Sequence, residues 1–361
     1  MTLGGTSHRR PDGRFRNPWP DAEPQPFSAL LKWNAERLRH GVPADPPPSV
    51  FARQNPSFDS PRAPNAALTV TWVGHSTVLL QLGALNVLTD PMWSSRASPF
   101  SFAGPRRWVP PGVPLEALPP IDVVLLSHNH YDHFDAPTIR ALAGRHPAAT
   151  WCVPLGLSGP LRKLGVRVIR EFDWWESASL TLPAGTLEVG GTPAQHFSAR
   201  TTWDRNATLW CGFAIVANGY RVFFAADTGY HPEFARIGER FGPFDLALMP
   251  VGAYEPRWFM RVVHMTPEEA LQALDELRRG AGAAEVPCMV PIHWGTFKLT
   301  DEAMDEPPRR TRDEWARRNW PIERLWQLAH GETRRAGDRD EASPERRGLR
   351  PPPPRPPPRS M

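Results

Sequence analysis

Lysine is almost missing from this 361-residue chain: Lys32, Lys163 and Lys298 are the three, and the other 39 basic residues are arginines. The skew reads as coding bias rather than function. Cysteine is equally scarce. The three, Cys152, Cys211 and Cys288, are widely spaced, which excludes a disulfide framework. They read as small buried residues of apolar strands. There is no long apolar run either. The longest, 211–217, falls far short of the ~20 residues needed to cross a bilayer. No secretory leader is expected: Arg9-Arg10 look like a twin-arginine start, but no apolar stretch follows them. A soluble, cytoplasmic protein is therefore expected.

What is present in excess is proline, 44 residues or about 12%, against a usual ~5%. The 40% apolar and 10% aromatic content is still enough for a packed core, so disorder throughout is excluded. Charge and proline divide the chain into three parts. Residues 1–66 hold 12 prolines with 9 basic and 6 acidic residues, net +3. Residues 67–335 hold 24 prolines with 27 basic and 28 acidic residues, net −1. Residues 336–361 hold 8 prolines with 6 basic and 4 acidic residues, net +2. The positive charge thus belongs to the ends. The middle part has no arginine-rich stripe, which argues against nucleic acid as a partner.

The tail 336–361 shows no apolar periodicity and favours polyproline II, so it is expected to be disordered. Residues 1–66 are expected to be a partly ordered extension. Within them, 27–39 place Phe27, Leu30, Leu31, Ala35 and Leu38 on one helical face. Such a face either lies in a membrane interface or packs on its own domain, and packing is the expectation.

The middle part, 67–335, reads as one catalytic domain. Strands are expected at 69–73, 78–82, 86–89, 121–127, 150–153, 166–169, 178–182, 186–192, 209–216, 221–226, 245–250 and 286–291. Helices are expected at 135–145 and 156–164. Thr266-Pro267-Glu268-Glu269 is a capping box with proline at the first helical position, so a third helix should run to about Arg278. Many short strands with fewer helices argue an α/β body with two sheets in its core.

The chemistry sits directly after strand 121–127, in His128-Asn129-His130-Tyr131-Asp132-His133. Four metal-competent side chains fall within six residues. If the backbone stays extended for one step, His128 and His130 project to the same side, while Asp132 and His133 point elsewhere after a turn. That suits two adjacent ions better than one. One loop cannot fill two coordination shells of about four ligands each. His196, Asp227 and His293 each end a predicted strand beside glycine or a small residue, and together they supply what the loop lacks. Asp90 in LTDP either accepts a ring N–H from a metal-bound histidine or initiates a turn before proline. His75 in VGHST reads as a residue behind the ligands rather than one of them.

These strings resemble the metallo-β-lactamase superfamily, and more narrowly its N-acyl-phosphatidylethanolamine-hydrolysing phospholipase D family, which has bacterial members. The resemblance is carried by TWVGHSTVLLQL (71–82), LTDPMWSSRASP (88–99), LPPIDVVLLSHNHYDHFD (118–135), PAQHFSAR (193–200), FFAADTGYHPEF (223–234), RFGPFDLALMPVGAYEPRWFM (240–260), HMTPEEAL (264–271) and IHWGTF (292–297). It runs from about Arg14 to His330.

The resemblance implies an αββα sandwich, two mixed β-sheets flanked by helices, with two Zn²⁺ per chain at one edge. In the family pattern His128, His130 and His196 hold one zinc, Asp132, His133 and His293 hold the other, and Asp227 bridges them. It implies a phosphodiesterase of phospholipase D type, releasing N-acylethanolamine and phosphatidic acid through a hydroxide shared by the two ions. Asp132, Asp227 and His264 are then catalytic. His264 is placed at the substrate, to orient the phosphodiester or protonate the leaving alkoxide. Tyr254, Arg257 and Trp258 are expected substrate contacts. Trp93, Phe100, Phe102 and Trp108 are candidates for an acyl-chain groove. A phospholipid substrate, peripheral contact with the inner face of a membrane and a homodimer follow from the same resemblance.

Other readings are weaker. A lactonase or general phosphodiesterase for a small phosphorylated metabolite would leave the long extension and YEPRWFM surplus. A nuclease would use the same metals but needs a basic body. A structural metal staple is expected to carry cysteines, and this set is all His and Asp.

Overall fold

The computed structural model describes residues 7–26, 28–64 and 67–336. Residues 337–361, nearly all of the tail, lie outside that range, as does Phe27. Two sheets form the middle of the molecule. The first has seven strands in the order β13-β1-β2-β3-β4-β5-β6. They are β1 (Leu68–Gly74), β2 (Thr77–Leu82), β3 (Leu85–Thr89), β4 (Val123–Leu125), β5 (Thr150–Pro154), β6 (Val168–Phe172) and β13 (Thr333–Arg335). The second has six, in the order β12-β11-β10-β9-β8-β7. They are β7 (Ser177–Leu182), β8 (Gly185–Thr192), β9 (Gly212–Ala217), β10 (Tyr220–Phe224), β11 (Leu246–Pro250) and β12 (Cys288–Ile292). Both sheets are mixed: β3 to β6 run parallel in the first and β10 to β12 in the second, and the rest pair antiparallel.

The continuous apolar runs have a simple cause, since both faces of these strands are buried. In β4, Val123 and Leu125 join the layer between the sheets, where Val222 and Phe224 of β10 also lie. Val124 and Leu126 point the other way, onto α2 (Ala136–Arg145) and α3 (Ser158–Arg162). Phe223 of β10 turns outward to α4 (Phe234–Phe241) and α6 (Pro267–Gly280). The result is helix, sheet, sheet, helix, as the two-sheet reading requires. The capping box forms as spelled: the Thr266 hydroxyl accepts from the Glu269 N–H, and the Glu269 carboxylate accepts from the Thr266 N–H.

Four elements have no expectation behind them: α4, α5 (Arg257–Met260), α7 (Glu306–Arg317) and β13. The α7 sequence EPPRRTRDEWAR buries only Pro307, Thr311 and Trp315, so its apolar stripe is too thin to read. β13 is three polar residues at a sheet edge, set in register by β1 alone. Cys152 and Cys211 are buried as expected, whereas Cys288 is half-buried at the start of β12.

The predicted 27–39 helix is α1 (Ala29–His40), but it is turned differently. Trp33 is its buried residue, and Leu31 and Leu38 are 76% and 90% exposed. One tryptophan outweighs two leucines here, because its ring packs against Met260, Val262 and Val263 and its indole N–H reaches Asp301 at 2.6 Å. Among the described residues no helix is long and apolar enough to cross a membrane.

Candidate metal centre

Strand directions bring the chemistry to one edge. β1, β3 and β4 are mutually parallel within the first sheet, as β8, β10 and β12 are within the second. His75, Asp90, the 128–133 loop, His196, Asp227 and His293 all follow the C-terminal ends of these six strands. The backbone is strained there: His75, Asp90 and His293 hold φ of 56°, 29° and 62°, and Ala226 beside Asp227 holds 55°. Non-glycine residues pay roughly 1–3 kcal/mol for such conformations, which persist where packing over-determines them. Gly252 serves that packing, because a Cβ on it would overlap the His293 carbonyl.

Two groups of side chains converge. In the first, His130 Nδ1 lies 2.9 Å from His128 Nε2 and 3.1 Å from His196 Nε2. In the second, Asp132 Oδ2 lies 3.3 Å from His133 Nε2 and 3.4 Å from His293 Nε2. Asp227 Oδ2 stands between the groups. It is 3.9 Å from both His128 and His196 and 3.0 Å from both His133 and His293. His128 and His130 therefore do project to one side, with Asp132 and His133 on the other.

The protonation pattern suits cations. His128 Nδ1 donates to the Ser127 hydroxyl (2.9 Å), His133 Nδ1 to Asp90 (2.6 Å) and His196 Nδ1 to the Val263 carbonyl (2.9 Å). Each bond leaves Nε2 facing the centre. His133 Nε2, His293 Nε2 and Asp227 Oδ1 are buried without a hydrogen-bond partner. Orphaned nitrogens and oxygens aimed at a common point are what a bound cation satisfies. The donors are all nitrogen and oxygen, which suits a hydrolytic divalent ion rather than a thiolate-bound staple.

Electrostatics separates the groups. Burial, then neighbouring imidazoles, push His128 well below its ordinary value and His130 to about 3. Burial takes His196 to about 4 against the pull of Asp227. In the second group burial also lowers the imidazoles, but Asp227 and Asp132 override it: His133 is raised and His293 reaches about 9. Burial would raise both carboxyls, yet His133 foremost holds Asp132 and Asp227 well down.

Asp90 is the hub behind the ligands. It accepts from His133, from the Ser127 N–H (2.7 Å) and from the Ser127 hydroxyl (2.6 Å). His75 Nε2 donates to Asp132 Oδ2 at 2.9 Å. Ser127 is a residue that sequence reading passed over, although its place between the strand and His128 was a usable signal. His264 is buried, its ring 5.1 Å from His196 and 5.0 Å from His293, with Nδ1 unpartnered.

Three expected substrate contacts are committed elsewhere. Tyr254 is fully buried and donates to Glu306 at 2.8 Å. Arg257 clamps both oxygens of Glu269 at 2.9 Å and the His264 carbonyl at 3.0 Å, so it serves the start of α6. Trp258 donates to Glu36 and carries Lys32 over its ring. Of the four aromatics suggested for a groove, Trp93 and Trp108 pack inward and bond to the carbonyls of Val113 and Pro46, while Phe100 and Phe102 are exposed.

Known proteins resemble much of this chain. A profile described as a beta-lactamase superfamily domain matches residues 85–294. An uncharacterised protein of Mycobacterium tuberculosis is 46% identical over 253 residues, 69% of this chain and 64% of that protein. The chain thus spans less than two thirds of that relative's own length. The N-acyl-phosphatidylethanolamine-hydrolyzing phospholipase D 1 of Caenorhabditis elegans is 41% identical over 249 residues, 67% of this chain and 68% of that protein. A solved metallo hydrolase from the archaeon Ignicoccus hospitalis has the same fold, with a TM-score of 0.54 at 22% identity over 75% of this chain and 99% of its own.

Proposed function

The chain belongs to the beta-lactamase superfamily, and from that membership we propose that it is a metal-dependent phosphodiesterase of phospholipase D type acting on N-acyl-phosphatidylethanolamine-like lipids. The observation that carries the proposal is the position of Asp227, whose one oxygen stands 3.9 Å from two imidazoles of one group and 3.0 Å from two of the other. A carboxylate standing between two donor groups could serve an ion in each. In this reading His128, His130 and His196 would hold one ion and Asp132, His133 and His293 the other, and Zn²⁺ would suit both donor sets. When bound, such a pair makes water acidic and offsets charge on phosphoryl oxygens.

The chain's own residues do the rest. Asp90, Ser127 and Val263 fix three imidazole tautomers before any ligand arrives, so the donors are pre-aimed. His75 holds the Asp132 carboxylate. His264, wedged between His196 and His293, orients the phosphodiester through a ring nitrogen. Arg257 fixes His264 by its backbone carbonyl rather than meeting the substrate. The lipid part of the proposal is supported by the nematode relative. Exposed Leu31 and Leu38 would offer apolar groups to a bilayer on its cytoplasmic side. A homodimer belongs to the same reading.

The test is product analysis. The protein is supplied with N-acyl-phosphatidylethanolamine, a plain phospholipid, a phosphorylated lactone and a generic phosphodiester. N-acylethanolamine and phosphatidic acid from the first supports the proposal. Turnover of the lactone or the small diester alone overturns the lipid assignment.

A further inference from the structure

His196 is the one candidate ligand of the first group that does not come from the 128–133 loop, and its neighbour Gln195 is pinned to Thr228, Gly229 and Val262. Two groups from other segments hold His196 itself. One is the Val263 carbonyl, which accepts from its ring. The other is Asn17, 179 residues away in sequence. The Asn17 carboxamide brackets the His196 peptide: its Nδ2 donates to the His196 carbonyl at 2.9 Å, and its Oδ1 accepts from the His196 N–H at 3.2 Å. The same Nδ2 reaches the Ala22 carbonyl at 2.8 Å, which fixes the amide plane.

The segment bearing Asn17 is itself anchored on both sides. Upstream, His8 and Arg9 each meet Asp173 at 2.7 Å, and Phe15 is buried in the layer between the sheets. Downstream, Trp19 stacks on Trp174 and His231, and Arg205 donates to the carbonyls of Pro24 and Gln25. Further along, Trp33 of α1 packs on Val263, the other residue that holds His196. The N-terminal segment therefore grips both supports of one ligand. Among the described residues it makes no such contact with His133 or His293, whose side-chain partners are Asp90 and the two site carboxylates.

We propose that Asn17 is a positioning residue for His196, so that the N-terminal segment sets how tightly the His128, His130 and His196 group holds its ion and leaves the other group alone. The proposal rests on the two-ion reading above. Groups that orient ligands typically change metal affinity ~10–100-fold, and an effect of that size on one of two sites is measurable without any assay of turnover.

The experiment is chelator competition on the full chain loaded with zinc, reading metal bound per protein at graded free zinc. Asn17→Ala is expected to bind one ion as the parent does and the second 10-fold or more weaker, with some loss of thermal stability because the buried His196 peptide loses its partners, and with the parent's far-UV dichroism. Asn17→Asp keeps the acceptor but sets a carboxylate oxygen against the His196 and Ala22 carbonyls, so it should weaken the same ion at least as much, and Asn17→Ser, which supplies a hydroxyl, carries the test if Asn17→Ala fails to fold. Arg14→Ala, which loses the bonds to the Arg205 and Trp203 carbonyls and loosens the same segment without touching His196, should weaken the same ion by less than Asn17→Ala does and leave the other unchanged. Equal retention of both ions in the Asn17 variants overturns the proposal, and so does equal weakening of both. A parent protein that binds no ion instead overturns the two-ion reading itself, which separates the two failures.

Discussion

The two halves of the candidate metal centre are made of similar groups but are held by different parts of the molecule. The half with Asp132, His133 and His293 is held from within the sheets. Asp90 at the end of β3 grips His133, and His75 at the β1–β2 turn grips Asp132. In the half with His128, His130 and His196, His128 is also tied to the scaffold through Ser127 and Asp90, but His196 is fixed by Val263 and Asn17, from outside the sheets. Charge follows the same division. Carboxylates raise His133 and bring His293 to about 9, whereas burial and imidazole neighbours keep the other three imidazoles neutral. The difference teaches that a site of like ligands can have one half built into the scaffold and the other assembled by long-range closure.

The largest effect should erase the division. Asp227→Asn removes the one carboxylate shared by both halves, so both ions should bind weakly. Turnover should fall by more than ~10³, beyond the loss of a single oxyanion donor. Near-normal kinetics with full metal content would refute the shared role. Next, His264→Ala should keep both ions and lose ~10²–10³ in kcat, as removal of one positioned donor does. Loss of an ion there would make His264 a ligand of the first half. Asp90→Asn should sharpen the comparison, weakening the His133 half by ~10–100-fold and the other half less, through Ser127. Chelator competition reads this directly, and equal effects on both would show the halves to be one unit.

The smallest effect concerns the anchor of the N-terminal segment. Burial alone would raise the Asp173 carboxyl, but His8 and Arg9 bring it down to about 2. A depressed carboxyl stabilises above its unfolded value, ~3.9, and that contribution is lost as pH falls toward the folded value. Acidification from pH 4 to 2 should therefore loosen this anchor. Fluorescence of the Trp19–Trp174 stack should change before far-UV dichroism does; simultaneous change would show no separate release of the segment.

Legibility followed locality. The H-x-H-x-D-H string, the capping box and the two-sided strands are each set within a few residues, and each stands where the sequence put it. Asp90 reads locally as either a turn or a support, and it is the hub behind His133. The missed residues are those whose meaning is distant. Nothing around Asn17 announces a partner 179 positions on. Arg257 and Tyr254 looked like free polar groups near a site, but Glu269 and Glu306 had already claimed them. The face of α1 was misjudged for a related reason. Counting apolar residues favoured Leu31 and Leu38, while shape and an Asp301 partner favoured Trp33.

By itself the sequence determined which side chains could take metal and that two sheets would present them at strand ends. Period and composition are local, and so is the chemistry of imidazole and carboxylate. Only the tertiary structure decided which nitrogen of each histidine faces inward, how Asp227 stands between the groups, and which distant segment secures His196. Those outcomes depend on hydrogen bonds between residues far apart in the chain, and such bonds exist only once the sheets have closed.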